Sequence, residues 1–177
     1  MQEETKLVHA GRHIADNYDF VNPPVIRAST VLHRSAEDML NRAEHERNME
    51  PDKVPYGTYG TPTHHAFYKA LMALEGEKAA GAWAFPSGLA ACTIPLLAFL
   101  KAGDHALFID TIYGPTREFA EEMLTRLGIE VEFFPPDIGQ GIVSVIDNTW
   151  ATPLFFKPLE VGVNVVIHKK ARRKPIN

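Results

Sequence analysis

An open α/β sheet is the fold class this sequence predicts, and two observations predict it. Short apolar runs such as "HALFID" and "IEVEFFP" alternate with longer stretches of helical spacing such as "TREFAEEMLTRLG". Hydrophobic residues make up 45% of the 177 and charged residues 23%, an ordinary balance for a chain that buries one core. Residues 1–35 read as an irregular arm, because "VNPPVIRAST" has paired prolines and no helical period. "SAEDMLNRAEHERNMEP" reads as a short polar helix: Ser35 can cap it, acids fill its first turn and Pro51 ends it. "YGTYGTPT" (Tyr56–Thr63) is loop, and Thr63 is placed to cap "HHAFYKALMALEG". There Phe67, Leu71 and Leu74 recur at helical spacing until Gly76 stops the helix. "GAWAFPSG" is expected to be a short strand that turns at Ser87-Gly88. "LAACTIPLLAFLKAG" is helical up to Gly103, with Pro95 marking a kink or the helix start. "HALFID" then forms a buried strand, Pro115 to Gly128 a helix, and "IEVEFFP" the next strand.

After that strand the alternation breaks. Only "DIGQ" separates "VEFFPP" from the strand "GIVSVID", whereas a parallel neighbour needs a crossover of about a dozen residues or more. Either these two strands are antiparallel or a strand–helix unit is missing between them.

Charge and cysteine usage exclude several function classes. A net charge of −4 gives no sign of a nucleic-acid partner, and the one basic run, Lys169–Lys174, is expected to be solvated. The single cysteine, Cys92, forms no internal disulfide; in "LAACTIPLLAFL" it reads as a buried thiol in a reducing compartment. "MQEETKLVHAGRH" lacks the apolar core of a signal peptide, and no apolar stretch reaches the length of a membrane span. A cytoplasmic location, no membrane partner and no metal site are the expectations.

The segment "SVIDNTWATPLFFKPLEVGVNVVIHKKARRKPIN" (Ser144–Asn177) carries the most information. With "FPSGLAAC", "TIYGPT" and "PYGTYGTPTHH", it resembles the Cys/Met-metabolism enzymes that use pyridoxal 5'-phosphate (PLP). Asp-Asn-Thr-Trp followed by Ala-Thr-Pro resembles most the branch that cleaves cystathionine by β-elimination. The resemblance covers nearly all of residues 5–168 and the front half of a full-length enzyme. It implies the large domain of a PLP-dependent transferase of fold type I (aspartate aminotransferase-like), incomplete here. Residues 1–60 would be the N-terminal arm and oligomer-contact segment, 61–168 a partial PLP-binding α/β domain, and 169–177 an aberrant basic tail, frameshifted or mis-joined. It favours a missing strand–helix unit before Asp147. It also implies a homotetramer, an amino-acid thioether substrate, and cleavage of L-cystathionine to L-homocysteine, pyruvate and ammonia. The alternatives are a related γ-acting enzyme, against which Trp150 and "YGPTR" count, or a catalytically inactive remnant or oligomerisation module.

PLP chemistry sets the residue types to look for. Asp147, closing the apolar strand "IVSVI", matches the carboxylate that keeps the pyridine nitrogen protonated; its plain structural role would be a turn with a bond to Thr149. Ser87, Gly88 and Leu89 open a helix, where free backbone N–H groups can take the phosphate. By resemblance, Tyr113 stacks on the ring and assists proton transfer, and Tyr56 reaches the phosphate of a neighbouring subunit. Where the family usually has an arginine beside that tyrosine, this chain has Thr58. The family's imine-forming lysine falls on Arg172, and a guanidinium, always protonated and delocalised, cannot take its place. Lys169 and Lys170 are the nearest amines. The expectation for this chain is therefore an impaired enzyme.

Overall fold

The computed structural model describes residues 5, 8–12, 19–47, 54, 56–135, 144–149 and 151–168. The chain divides into two compact units, Met1–Ala84 and Phe85–Asn177.

In the first unit, helix α1 (Ala36–Arg47) starts where expected: the Ser35 hydroxyl accepts the Asp38 N–H at 3.1 Å. Asp38 accepts the Arg34 N–H at 3.0 Å and the Arg42 Nε–H at 3.2 Å. These bonds, the backbone one foremost, hold its carboxyl below the usual carboxylate range. The expected helix end at Pro51 lies outside the described residues.

Helix α2 (Pro62–Glu75) begins two residues earlier than the sequence suggested. Thr61, not Thr63, is the cap, because Pro62 has no N–H to satisfy and its fixed φ suits the first helical position. His64 reaches back, its Nδ1 taking the Thr61 N–H at 3.1 Å, where a capping box ordinarily uses Glu or Gln. Thr63 is thereby released to fasten the arm. Its hydroxyl donates to the Pro24 carbonyl and accepts the Ile26 N–H, both at 2.8 Å.

"GAWAFPSG" forms no strand. Trp83 instead stacks on the buried Tyr68 ring, centroids 6.0 Å apart, and the Tyr68 hydroxyl accepts the Ala84 N–H at 3.4 Å. Side-chain contacts to a helix hold these residues in place of a ladder.

In the second unit, helix α3 (Gly88–Phe99) begins at the Ser87 cap and runs on through Pro95, so Pro95 is not its start. Strand β1 (His105–Ile109), helix α4 (Gly114–Phe119), a π-helical turn (Ala120–Leu124) and strand β2 (Glu130–Phe134) follow. The sequence read this helical stretch as uniform; the π turn widens it locally, a feature that apolar periodicity does not signal. β1 and β2 are parallel, in register from His105 opposite Glu130 to Ile109 opposite Phe134.

The core lies on one face of this pair. Ala106, Phe108, Ala120, Leu124 and Ile129 are buried, with Leu96, Leu100, Phe119 and Phe133 packed around them. Each fully buried large side chain here contributes about 2–3 kcal/mol through apolar area removed from water. Cys92 is also buried and unpaired, as its surroundings in the sequence indicated.

Strand β3 (Val145–Asp147), a one-turn helix α5 (Thr152–Phe155), a 3-10 turn (Pro158–Val161) and strand β4 (Val165–Ile167) follow. β3 and β4 are parallel, Val145 opposite Val165 and Asp147 opposite Ile167. Among the described residues β2 and β3 do not pair, so the antiparallel alternative is set aside: β1–β2 and β3–β4 are separate two-stranded sheets.

Candidate functional site

Each candidate side chain of the second unit stands at a strand end or a helix start, where an α/β sheet collects ligand-contacting groups. Ser87 caps α3 with its hydroxyl accepting the Ala90 N–H at 3.1 Å, while its carbonyl accepts the Ala91 N–H at 3.0 Å. The Ala91 bond is the first regular bond of the helix; of the four N–H groups that a helix start leaves over, those of Ser87 to Ala90, the cap uses that of Ala90, and Gly88 and Leu89 supply the next two. The Ser87 hydroxyl accepts in the cap and keeps its own O–H as a donor. The anion-binding capacity is in the backbone of Gly88 and Leu89, reinforced by the helix dipole.

Tyr113 follows β1, precedes α4 and is 48% exposed. Its carbonyl accepts the N–H groups of Thr116 at 2.9 Å and Arg117 at 3.1 Å. Arg117 fixes the surrounding loop: Nη1 donates to the Asp110 carbonyl at 3.0 Å and Nε to Glu121 at 2.9 Å. The guanidinium also lies 3.9 Å from the Phe133 ring centroid, a cation–π contact that ties the loop to β2. The sequence reading did not single out this role; the only signal for it was the position of Arg117 in "GPTR".

Asp147 is the last residue of β3 and is exposed. Its Oδ1 accepts the Thr149 N–H at 3.2 Å and the Thr149 hydroxyl at 2.5 Å. The turn-forming bond weighed from the sequence is therefore present. It is compatible with a ligand role, since a carboxylate has about four lone-pair sites. The residue beside it matters as much and was missed. Asn148, 4% exposed, donates its N–H to the Ile167 carbonyl and its Nδ2–H to the Phe156 carbonyl, both at 2.9 Å. Its carbonyl accepts the Thr152 N–H, also at 2.9 Å. Asn148 thus ties β3, β4 and α5 together directly behind Asp147. Thr152 has φ 61, a left-handed conformation that costs a β-branched residue about 1–3 kcal/mol. Its N–H is held by the Asn148 carbonyl.

Tyr56 belongs to the first unit. It forms an antiparallel bridge with Thr30, and Gly57 beside it donates its N–H to the Ser29 carbonyl at 2.7 Å. A Cβ at Gly57 would lie 2.2 Å from the Ala28 carbonyl oxygen, so only glycine permits this approach. Lys169, Lys170, Arg172 and Trp150 lie outside the described residues. No group of three His, Cys, Asp or Glu that could hold a metal occurs among the described residues, and no described helix is long and apolar enough to cross a membrane.

The donor set matches the noncovalent demands of PLP: two helix-start N–H groups for a phosphate, a carboxylate at a strand end for a ring nitrogen, and an exposed aromatic side chain. Comparison with known proteins identifies the family. A family model described as Cys/Met metabolism PLP-dependent enzyme matches residues 4–142. A protein of Rhizobium johnstonii named putative cystathionine beta-lyase is 42% identical over 95% of this chain and 50% of its own length. The L-alanine/L-glutamate racemase of Wolbachia pipientis is 37% identical over 95% of this chain and 52% of its own. The crystal structure of a putative O-acetylhomoserine (thiol)-lyase from Campylobacter jejuni, which holds a pyridoxyl-lysine phosphate, superposes with a TM-score of 0.77. At 23% identity, over 96% of this chain and 49% of that one, it shows the shared fold.

The chain spans about half the length of these relatives. The Rhizobium alignment runs over 206 positions, while 95% of 177 residues is about 168, so about 38 positions of that alignment have no counterpart here. These findings show an incomplete fold type I large domain, and the chain belongs to the Cys/Met-metabolism family of PLP-dependent enzymes.

Proposed function

We propose that the chain carries the noncovalent half of a carbon–sulfur β-lyase site for L-cystathionine, releasing L-homocysteine, pyruvate and ammonia, and that Arg172 impairs its turnover. The observation that carries this reading is the Asp147-Asn148-Thr149 turn, in which a buried asparagine holds a carboxylate at the end of a parallel strand. The 42% identical relative, named for the same reaction, supports it.

PLP, when bound, supplies an electron sink for loss of the substrate α-proton. In this reading Gly88 and Leu89 hold the phosphate through their N–H groups, with Tyr56 as a further phosphate contact from a neighbouring subunit of a homotetramer. Asp147 keeps a proton on the ring nitrogen, and the Thr149 bonds keep its carboxylate aimed. Tyr113 covers the ring and holds a proton at its phenolic oxygen, on a loop that Arg117 keeps in position. No protein amine stands at position 172 to anchor the cofactor or carry the α-proton.

The racemase relative favours a second reading, since racemisation requires the same proton removal without loss of a leaving group. γ-Elimination is a third outcome, and it would release 2-oxobutyrate. Purified chain with PLP and L-cystathionine is expected to give no pyruvate above the rate of free PLP, while Arg172→Lys raises pyruvate formation above that rate. D-amino acid from L-alanine, or 2-oxobutyrate from cystathionine, would replace the β-lyase reading. Pyruvate turnover by the unaltered chain would refute the impairment.

A further inference from the structure

The ladder of the β1–β2 pair shows which edge no other described strand pairs with. Asp104 accepts the Glu130 N–H through its carbonyl, and the Asp110 N–H donates to the Phe134 carbonyl, each at 2.9 Å. In a parallel ladder bonding alternates along the strand, so Ala106 and Phe108 face β2 and the N–H groups of His105, Leu107 and Ile109 point to the opposite edge. The same alternation applies to β3. The Ser144 carbonyl and the Asn148 N–H bond to β4, so the backbone groups of Val145 are turned away from it.

Residue types distinguish the free edge of β1 from that of β2. β2 alternates Glu130 and Glu132 with apolar residues, the charged pattern of an outer strand. β1 reads Ala-Leu-Phe-Ile after His105, without a formal charge, which is the pattern of a strand with neighbours on both sides. Leu107 is nevertheless 51% exposed.

The links between strands locate what is missing. Twenty residues join β1 to β2 and 17 join β3 to β4, each link with helical turns, but ten residues, 135–144, join β2 to β3. The family-model match also ends inside that link, at residue 142. About 38 alignment positions without a counterpart are enough for one strand and one helix.

We propose that the open edges of β1 and β3 form a docking slot for one parallel strand supplied in trans. Its occupant is a strand–helix segment of the kind that the relatives carry and this chain lacks between Phe134 and Ser144. Docking adds backbone bonds at His105, Leu107, Ile109 and Val145, joining the two sheets as β2–β1–inserted strand–β3–β4. The test is amide hydrogen exchange on the full chain, with and without a synthetic peptide of the Rhizobium relative's segment lying between the counterparts of Phe134 and Ser144. Alone, Ala106 and Phe108 should be protected while Leu107 and Ile109 exchange fast. Peptide at ten times its dissociation constant should slow exchange at Leu107, Ile109 and Val145 about tenfold. A peptide with proline in its strand should not. No protection, protection confined to Val131 and Phe133, or equal protection by the proline peptide would overturn the proposal. Fast exchange at Ala106 and Phe108 throughout would also overturn it. Concentration-dependent protection of the same amides without peptide, in a dimer, would overturn it by assigning the edge to a second copy.

Discussion

Asp147 was legible in the sequence because its neighbours narrow its role: an aspartate at a strand end is common, but Asp-Asn-Thr-Trp before Ala-Thr-Pro is not. Its partner Asn148 was not legible, because an asparagine beside a turn ordinarily faces water, and only the placement of Phe156 and Ile167 turns it inward. Thr152 was hidden too, because a β-branched residue gives no sign of a left-handed φ. Ser87 shows a role that local chemistry makes readable: its hydroxyl accepts the Ala90 N–H as the helix cap. Asp147→Asn keeps the turn, because an amide oxygen can accept the Thr149 bonds, but it removes the charge that a protonated ring nitrogen needs. We expect PLP binding to weaken about tenfold or more, the loss of one charge-assisted hydrogen bond, measured by titration of cofactor absorbance. Unchanged affinity would mean that Asp147 serves only the turn.

Helix limits followed local chemistry, and strands did not. Ser35, Ser87, Gly76 and Gly128 act within one turn of where they stand, so their effects could be read directly. Thr61 displaced Thr63 because Pro62 moved the helix start. The segment "GAWAFPSG" has the composition of a strand, but a strand exists only with a neighbour, and no sequence window shows whether one is present. The π turn at Ala120–Leu124 carries the centre of the core, since Ala120 and Leu124 are both fully buried. Leu124→Ala should therefore cost about 3 kcal/mol, measured as a shift in the urea midpoint at unchanged slope. A cost under about 1 kcal/mol would mean that the unit tolerates a cavity there and that its core is loosely formed.

For the whole molecule, the short link between β2 and β3 was the most telling feature of the sequence, because crossover length is a geometric requirement. It pointed to a missing unit, and among the described residues the two sheets stay separate. On this proposal the chain combines a cofactor-type donor set with two unjoined sheets and with Arg172 at the position where the family resemblance puts the imine-forming lysine. The most direct test of that combination is to incubate the chain and its Arg172→Lys variant with PLP, reduce with borohydride, and map pyridoxylated residues by mass spectrometry. The expected result is no specific label on the unaltered chain and near-stoichiometric label at position 172 in the variant. Stoichiometric label at Lys169 or Lys170 of the unaltered chain, or no label at position 172 of the variant, would contradict it.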